Sequence, residues 1–185
     1  STVSRNSGIS RRTAAEASSA EPTGPDAAHM AIRLITASNK QPGWVTEAYD
    51  YYACRLDRGC PLELVEVALA SRTGKPDAAR AVADESRRML KRVPEGAHVV
   101  ALAVDGQAWS TAELARRLDA WLARSCPVAL LVGGPDGLGP DCVSRAAERW
   151  SLSALTLPHG LARVVIAEAI YRARSLARGH PYHRA

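Results

Sequence analysis

The chain reads as an α/β protein, a mostly parallel sheet with helices on both faces. Two observations predict this. From Met30 onward, short apolar runs alternate with longer stretches of helical period. Helix caps and Gly or Pro stops also fall between the runs, where a βαβ pattern needs them. The first strand is expected over Ala31 to Ala37. It is followed by a helix from about Gly43 to Leu56, with Trp44, Ala48, Tyr51 and Tyr52 at helical spacing. A second strand, Leu62 to Ala68, precedes a helix from about Asp77 to Arg92 that Pro94 and Gly96 end. The third strand spans His98 to Val104, and Asp105-Gly106 close it. The next helix starts at Ser110, whose hydroxyl can cap while Glu113 reaches back in a capping box. Val128 to Val132 reads as a buried strand, and Pro140, a favoured first-turn residue, opens the fourth helix. The fifth strand is expected at Ser151 to Leu155, and the last helix runs from about Leu161 to Ala177, stopping at Gly179 and Pro181. The core contains no internal repeat.

Composition narrows the class. The 185 residues carry 24 Lys plus Arg against 19 Asp plus Glu, a net charge of +5, with 46% hydrophobic residues. No apolar run approaches the roughly 18 to 20 residues of a membrane span. Cys54, Cys60, Cys126 and Cys142 form no C-x-x-C pair and are too sparse for a disulfide scaffold, so they read as reduced thiols of a cytoplasmic protein. Residues 1–29 hold six Ser and six Ala with no Trp, Tyr or Leu, too little apolar surface to offset ordering, and are expected to be disordered. Their Ser, Ala and Arg content is that of a transit peptide, but three acids interrupt it, and Met30 reads as a natural first residue. The extension's charges cancel, which leaves 21 basic and 16 acidic residues on positions 30–185.

Three segments could carry chemistry. Gly133-Gly134-Pro135-Asp136-Gly137-Leu138-Gly139 follows a strand and precedes a helix, where open α/β sheets bind ligands. It is no P-loop, because no Lys-Ser/Thr follows the glycines. It is either a ligand loop or a tight turn needing positive φ, and the residues alone leave both open. Ser151 to Gly160 forms a strand running into a loop without Asp, Glu, Lys or Arg. Backbone groups between leucines would suit an uncharged base such as adenine. By composition alone an ordinary buried strand is the better reading. The C-terminus sets Arg163, Arg172, Arg174, Arg178 and Arg184, with His180 and His183, against the single acid Glu168, a concentrated basic surface. No metal is expected, since no Cys or carboxylate in nearby sequence completes a site with His180 and His183. A second basic cluster joins Arg72, Lys75, Arg80, Arg87, Arg88, Lys91 and Arg92, a surface of the kind that phosphate contacts use.

Four ordered motifs carry a family resemblance. Leu131 to Gly137, Trp150 to His159, Glu168-Ala169-Ile170-Tyr171-Arg172-Ala173 and Pro181-Tyr182-His183-Arg184 resemble the RlmH-type methyltransferases of the SPOUT superfamily. The similarity covers Met30 to Ala185 and includes Asn39 to Val45. It implies a SPOUT methyltransferase domain over residues 30–185 with a C-terminal trefoil knot, a feature too rare for periodicity to propose. It also implies a homodimer that uses S-adenosylmethionine to methylate N3 of a pseudouridine in large-subunit ribosomal RNA. The cofactor would bind in the knot, and the partner subunit would complete the active site. By position, Leu102, Gly133, Gly134, Leu152, Ser153, Ala154, Leu155, Thr156 and Leu157 would contact the cofactor. The role of Leu102 rests on aligning a short strand rather than on a motif.

Residue chemistry assigns the tail. An imide nitrogen must lose its proton before it accepts a methyl group, which requires a base or a cation stabilising the developing oxyanion. His183, with an ordinary pKa near 6.5, suits neutral pH better than Tyr182, near 10. Arg184 would stabilise charge or hold phosphate, and Tyr182 could stack on the base. His159 ranks second as base. Tyr171 and Trp150 are expected to pack, and Glu168 to pair with Arg172 four residues on. Two other classes compete: a ribosome-binding protein of the same fold without catalysis, and a nucleotide enzyme using Gly133 to Gly139 for phosphate. The small net charge offers few phosphate contacts, so the expected substrate is an assembled ribosome rather than free RNA.

Overall fold

The computed structural model describes residues 31–71, 77–124, 126–179 and 182. The N-terminal extension, Met30, Arg72, Lys75, His180, His183 and Arg184 lie outside the described residues. Five strands and five helices alternate among the described residues: β1 (Ile32–Ala37), α1 (Gly43–Ala53), β2 (Leu62–Val67), α2 (Ala78–Leu90), β3 (His98–Ala108), α3 (Thr111–Leu122), β4 (Val128–Val132), α4 (Pro140–Arg145), β5 (Glu148–Ser151) and α5 (His159–Ala177). They build one sheet in the order β2-β1-β4-β3-β5, with every neighbouring pair parallel. Among these helices, none is long and apolar enough to cross a membrane.

β4 lies at the centre, and all five of its residues are buried. Strand alternation divides them between two cores. Val128, Leu130 and Val132 join Ile32, Leu34 and Val100 beneath Leu118, Trp121, Ile166 and Ile170 of α3 and α5. Ala129 and Leu131 join Ile35, Val99, Met89 and Cys142 beneath α2 and α4. α5 packs against both α1 and α3, so these three helices cover one face. Each fully buried Leu or Ile here contributes about 1.5–3 kcal/mol.

The caps follow local chemistry. The Asp77 carboxylate accepts from Arg80 N–H at 3.1 Å, and Ser110 Oγ accepts from Glu113 N–H at 3.2 Å. The Glu113 carboxylate pairs with Arg116 and Arg117. α1 ends at Ala53 rather than Leu56, and α5 begins at His159 rather than Leu161, with Pro158 as its N-cap.

Two strands differ from the sequence reading. β3 continues to Ala108, with a register shift against β5 between Leu102 and Gln107, so Asp105-Gly106 form a bulge rather than a terminus. β5 is Glu148–Ser151, not Ser151 to Leu155. Its polar first residue is its anchor. Glu148 Oε1 accepts from Trp121 Nε1 at 2.9 Å and lies 2.6 Å from His98 Nε2, while Oε2 pairs with Arg117. The Arg117 guanidinium sits 4.3 Å from the Trp109 ring centroid, and Trp109 stacks on Trp150 at 5.2 Å. Residues 152–158 have no strand partner.

Among the described residues, the C-terminal arginines Arg163, Arg172, Arg174 and Arg178 are not the concentrated basic surface expected, because acids pair with each of them. Arg163 is 2% exposed and donates to Ser38 Oγ at 2.7 Å and Glu66 Oε1 at 2.9 Å. Arg174 and Arg178 both reach Asp57 at 3.0 Å, and Arg172 pairs with Glu168 at 2.6 Å as expected. On α2, Arg87 and Arg88 share Asp84.

Burial alone would raise the Glu148 carboxyl, but hydrogen bonds from Trp121 and His98 and the Arg117 charge hold it below its ordinary value. A depressed folded-state pKa gives stability that is present above the unfolded value and lost as pH falls through the folded one. Replacing Glu148→Gln is expected to lower urea-unfolding stability by about 1–3 kcal/mol at pH 7, with the gap closing below about pH 4. A gap that stays constant from pH 7 to pH 3 would contradict this role.

Candidate active site

Because every strand runs the same way, their carboxyl ends share one edge of the sheet. A cavity of about 540 Å³ opens there, at the ends of β3, β4 and β5. Leu102, Val132 and Trp150 form its floor, one residue from each strand. Gly133 to Gly137 make one wall, and Ser151 to His159, apart from Ala154, make the other. Eight of the nine positions that the resemblance implies for a cofactor therefore line one cavity; Ala154 does not.

The glycine wall meets two demands. Gly134 O accepts from Gly137 N–H at 2.9 Å, closing the turn Gly134-Pro135-Asp136-Gly137, and Gly137 has φ +85°. Gly133 is constrained differently: a Cβ there would overlap the Gly137 backbone and Leu138 N. The segment is thus both a tight turn and a cavity wall. Its feet rest on α2. A Cβ on Gly134 would fall 2.5 Å from Glu85 Oε2, and Gly139 N–H donates to the buried Ser86 Oγ at 3.0 Å. Glu85, 1% exposed, also accepts from Ala70 N–H at 2.9 Å. Sequence reading missed Glu85 and Ser86, and no local signal marks them, since the loop they support lies about fifty residues further along.

The second wall shows why its composition reads as a strand. Leu152, Leu155 and Leu157 line a cavity, Leu152 packing against the core as well, and Leu155 is 73% exposed. Ser151 Oγ donates to Ser153 O at 3.1 Å, and Ser153 Oγ accepts from Leu155 N–H at 2.9 Å. Trp150 is buried core, as expected, and also cavity floor. His159 lines the cavity at the start of α5. Asp136 and His159 are the ionisable side chains among the lining residues.

Tyr182 lies elsewhere. Its ring packs edge-on against Tyr171 at 4.7 Å and under the Arg172 guanidinium at 5.1 Å, and its hydroxyl donates to Glu168 Oε1 at 3.4 Å. Burial, a hydrogen bond with Tyr52 and the Glu168 charge push its phenol well above the ordinary value, so it stays protonated at neutral pH. None of these contacts is a cavity-lining residue. Tyr171, half-buried, packs between Tyr182 and Tyr52 rather than in the core. Among the described residues, no group of three or more His, Cys, Asp or Glu could hold a metal ion.

The family model described as "Predicted SPOUT methyltransferase" matches residues 30–183. A protein named Ribosomal RNA large subunit methyltransferase H, from Alkalilimnicola ehrlichii, is 56% identical over 156 residues, 84% of this chain and 100% of that protein. Proteins of the same name from Nitrosococcus oceani and Methylococcus capsulatus are 52% and 51% identical over 84% of this chain, and over 99% and 100% of their own lengths. With a match spanning the whole sheet and both cavity walls, the chain belongs to the SPOUT methyltransferase family.

Proposed function

We propose that the protein is an S-adenosylmethionine-dependent methyltransferase that acts as a homodimer on N3 of a pseudouridine in large-subunit ribosomal RNA, within the assembled ribosome. The observation that carries this reading is the apolar cavity between the glycine turn and the 152–158 loop. Family membership and the names of relatives matched along almost their whole length support methylation of ribosomal RNA. The motif resemblance supplies the nucleotide, the trefoil knot and the dimer.

The cavity residues fit the cofactor. A volume of about 540 Å³ suits a nucleoside-sized ligand. Leucine walls with backbone groups between them accept an uncharged base, and no lining Lys or Arg opposes a cation. Leu102, Gly133, Gly134 and the segment Leu152-Ser153-Ala154-Leu155-Thr156-Leu157 would hold it. When bound, S-adenosylmethionine supplies an electrophilic methyl group on a sulfonium whose charge disappears on transfer. The leucine wall excludes water from that centre.

The tail residues act on the acceptor. His183 takes the proton from N3, and Arg184 stabilises the negative charge that spreads onto the neighbouring oxygen. Tyr182, its phenol held protonated, stacks on or donates to the base rather than acting as the base. The resemblance implies that the tail of each subunit serves the cavity of its partner, and the contacts of Tyr182 on its own α5, away from its own cavity, support that reading.

Labelled methyl from S-adenosylmethionine is expected on ribosomes that lack the modification and not on ribosomes that lack the pseudouridine, with the nucleoside identified by mass spectrometry. Cofactor binding by a folded dimer with no transfer would favour a non-catalytic ribosome-binding protein. Co-expression tests the shared site. Leu155→Arg puts a cation at the exposed mouth of the cavity, and His183→Ala removes the base, so each variant alone is expected to be inactive. Mixed dimers restore one intact site, giving about a quarter of wild-type activity for random pairing. No recovery, with mixed dimers demonstrated, would place both sets of residues in one subunit.

A further inference from the structure

We propose that Asp136 anchors the α-ammonium group at the amino-acid end of the cofactor, an assignment that rests on the S-adenosylmethionine reading above. The cavity is graded from floor to mouth. Val132, Gly134 and Trp150 are buried, whereas Val104, Asp136 and Leu155 are exposed. An uncharged adenine gains most by occupying the apolar floor. An amino-acid end bearing an ammonium and a carboxylate keeps its hydration at the mouth, since burying either charge without a partner costs far more than burying the base. Asp136 supplies the only acidic side chain among the described lining residues, and it stands at that mouth.

Its position is also fixed in advance. Asp136 is the third residue of the turn closed by Gly137 N–H on Gly134 O, with Pro135 limiting φ before it. The feet of the loop bear on Glu85 and Ser86 of α2. A carboxylate carried on so constrained a turn loses little further freedom when it meets a cation, so its hydrogen bond to an ammonium group is retained as affinity. The remaining lining residues offer hydroxyls, backbone groups, one imidazole and apolar surface, none of them an anion.

The test compares two neutral-sulfur analogues on the full chain by calorimetry. S-adenosylhomocysteine carries the amino-acid end, and 5′-methylthioadenosine lacks it. Asp136→Asn keeps a residue well suited to the turn. It is expected to weaken S-adenosylhomocysteine binding about five- to twenty-fold while changing 5′-methylthioadenosine affinity less than about two-fold. Asp136→Glu is expected to recover part of the loss. Equal weakening of both ligands would make Asp136 a support of the loop alone and overturn the assignment. Unchanged binding of S-adenosylhomocysteine would overturn it too, with the cofactor reading intact. Wild-type protein that binds neither analogue would remove the cofactor reading and this assignment together.

Discussion

The first turn of α5 is where the cavity is decided, and the buried guanidinium of Arg163 fixes it. The chain leaves β5 at the outer edge of the sheet, beyond β3, yet α5 packs against α1 and α3 over the centre. The Arg163 contacts to Ser38 and Glu66 tie the start of α5 to the carboxyl ends of β1 and β2. Gly160 allows the close approach, since a Cβ there would come within 3.0 Å of Val45 Cγ2. Residues 152–158 must therefore span from the sheet edge to its middle, past the ends of β3 and β4. A buried guanidinium that lost these partners would be left desolvated and uncompensated, so the crossing is held by a contact that is costly to break. The apolar wall of the cavity is that crossing.

Two helical supports, one on each face of the sheet, complete the arrangement. α2 bears on the glycine turn through Glu85 and Ser86, while α5 positions the leucine wall. Neither support belongs to the strands whose ends form the floor. The two walls are thus supported separately, one from each helical layer. Glycine is needed where backbone meets backbone at 133 and where φ is positive at 137, and elsewhere in the turn proline and aspartate set the shape.

Much of this was legible in the sequence because burial on two faces leaves a strong periodic signal. β4 matched its expected limits from Val128 to Val132, and Ser110 caps α3 as expected, while the Glu113 carboxylate pairs with Arg116 and Arg117 instead of completing the capping box. The failures share one cause, which is that long-range partners outweigh local pattern. Leucines spaced along residues 152–157 imitate a strand, yet they face a cavity and have no neighbouring strand to pair with. Glu148 falls outside the strand expected from Ser151, yet Trp121, His98 and Arg117, all 27 or more residues away, make it the anchor of β5. The arginines of α5 and its C-cap Arg178 form a basic run in sequence, whereas in space Asp57 and Glu66 pair with Arg163, Arg174 and Arg178. Eight of the nine positions that the resemblance implies for a cofactor line one cavity, a long-range grouping that periodicity does not carry.

On the proposed reading, these pairings bear on how RNA would be recognised. Arginines engaged with Asp57, Glu66, Glu168 and Asp84 are poorly placed to contact phosphates directly, so fewer guanidinium groups are available for such contacts than the sequence count implies. Weak non-specific attraction makes shape and base contacts the larger share of recognition. For a methyltransferase this has a kinetic advantage. An enzyme that binds any RNA tightly would be sequestered by the excess of non-target sequence, whereas one with many of its guanidinium groups engaged would leave wrong sites quickly and remain only where the acceptor base fits. On the proposed reading, the aromatic and cationic groups of the tail then act on the acceptor base at short range.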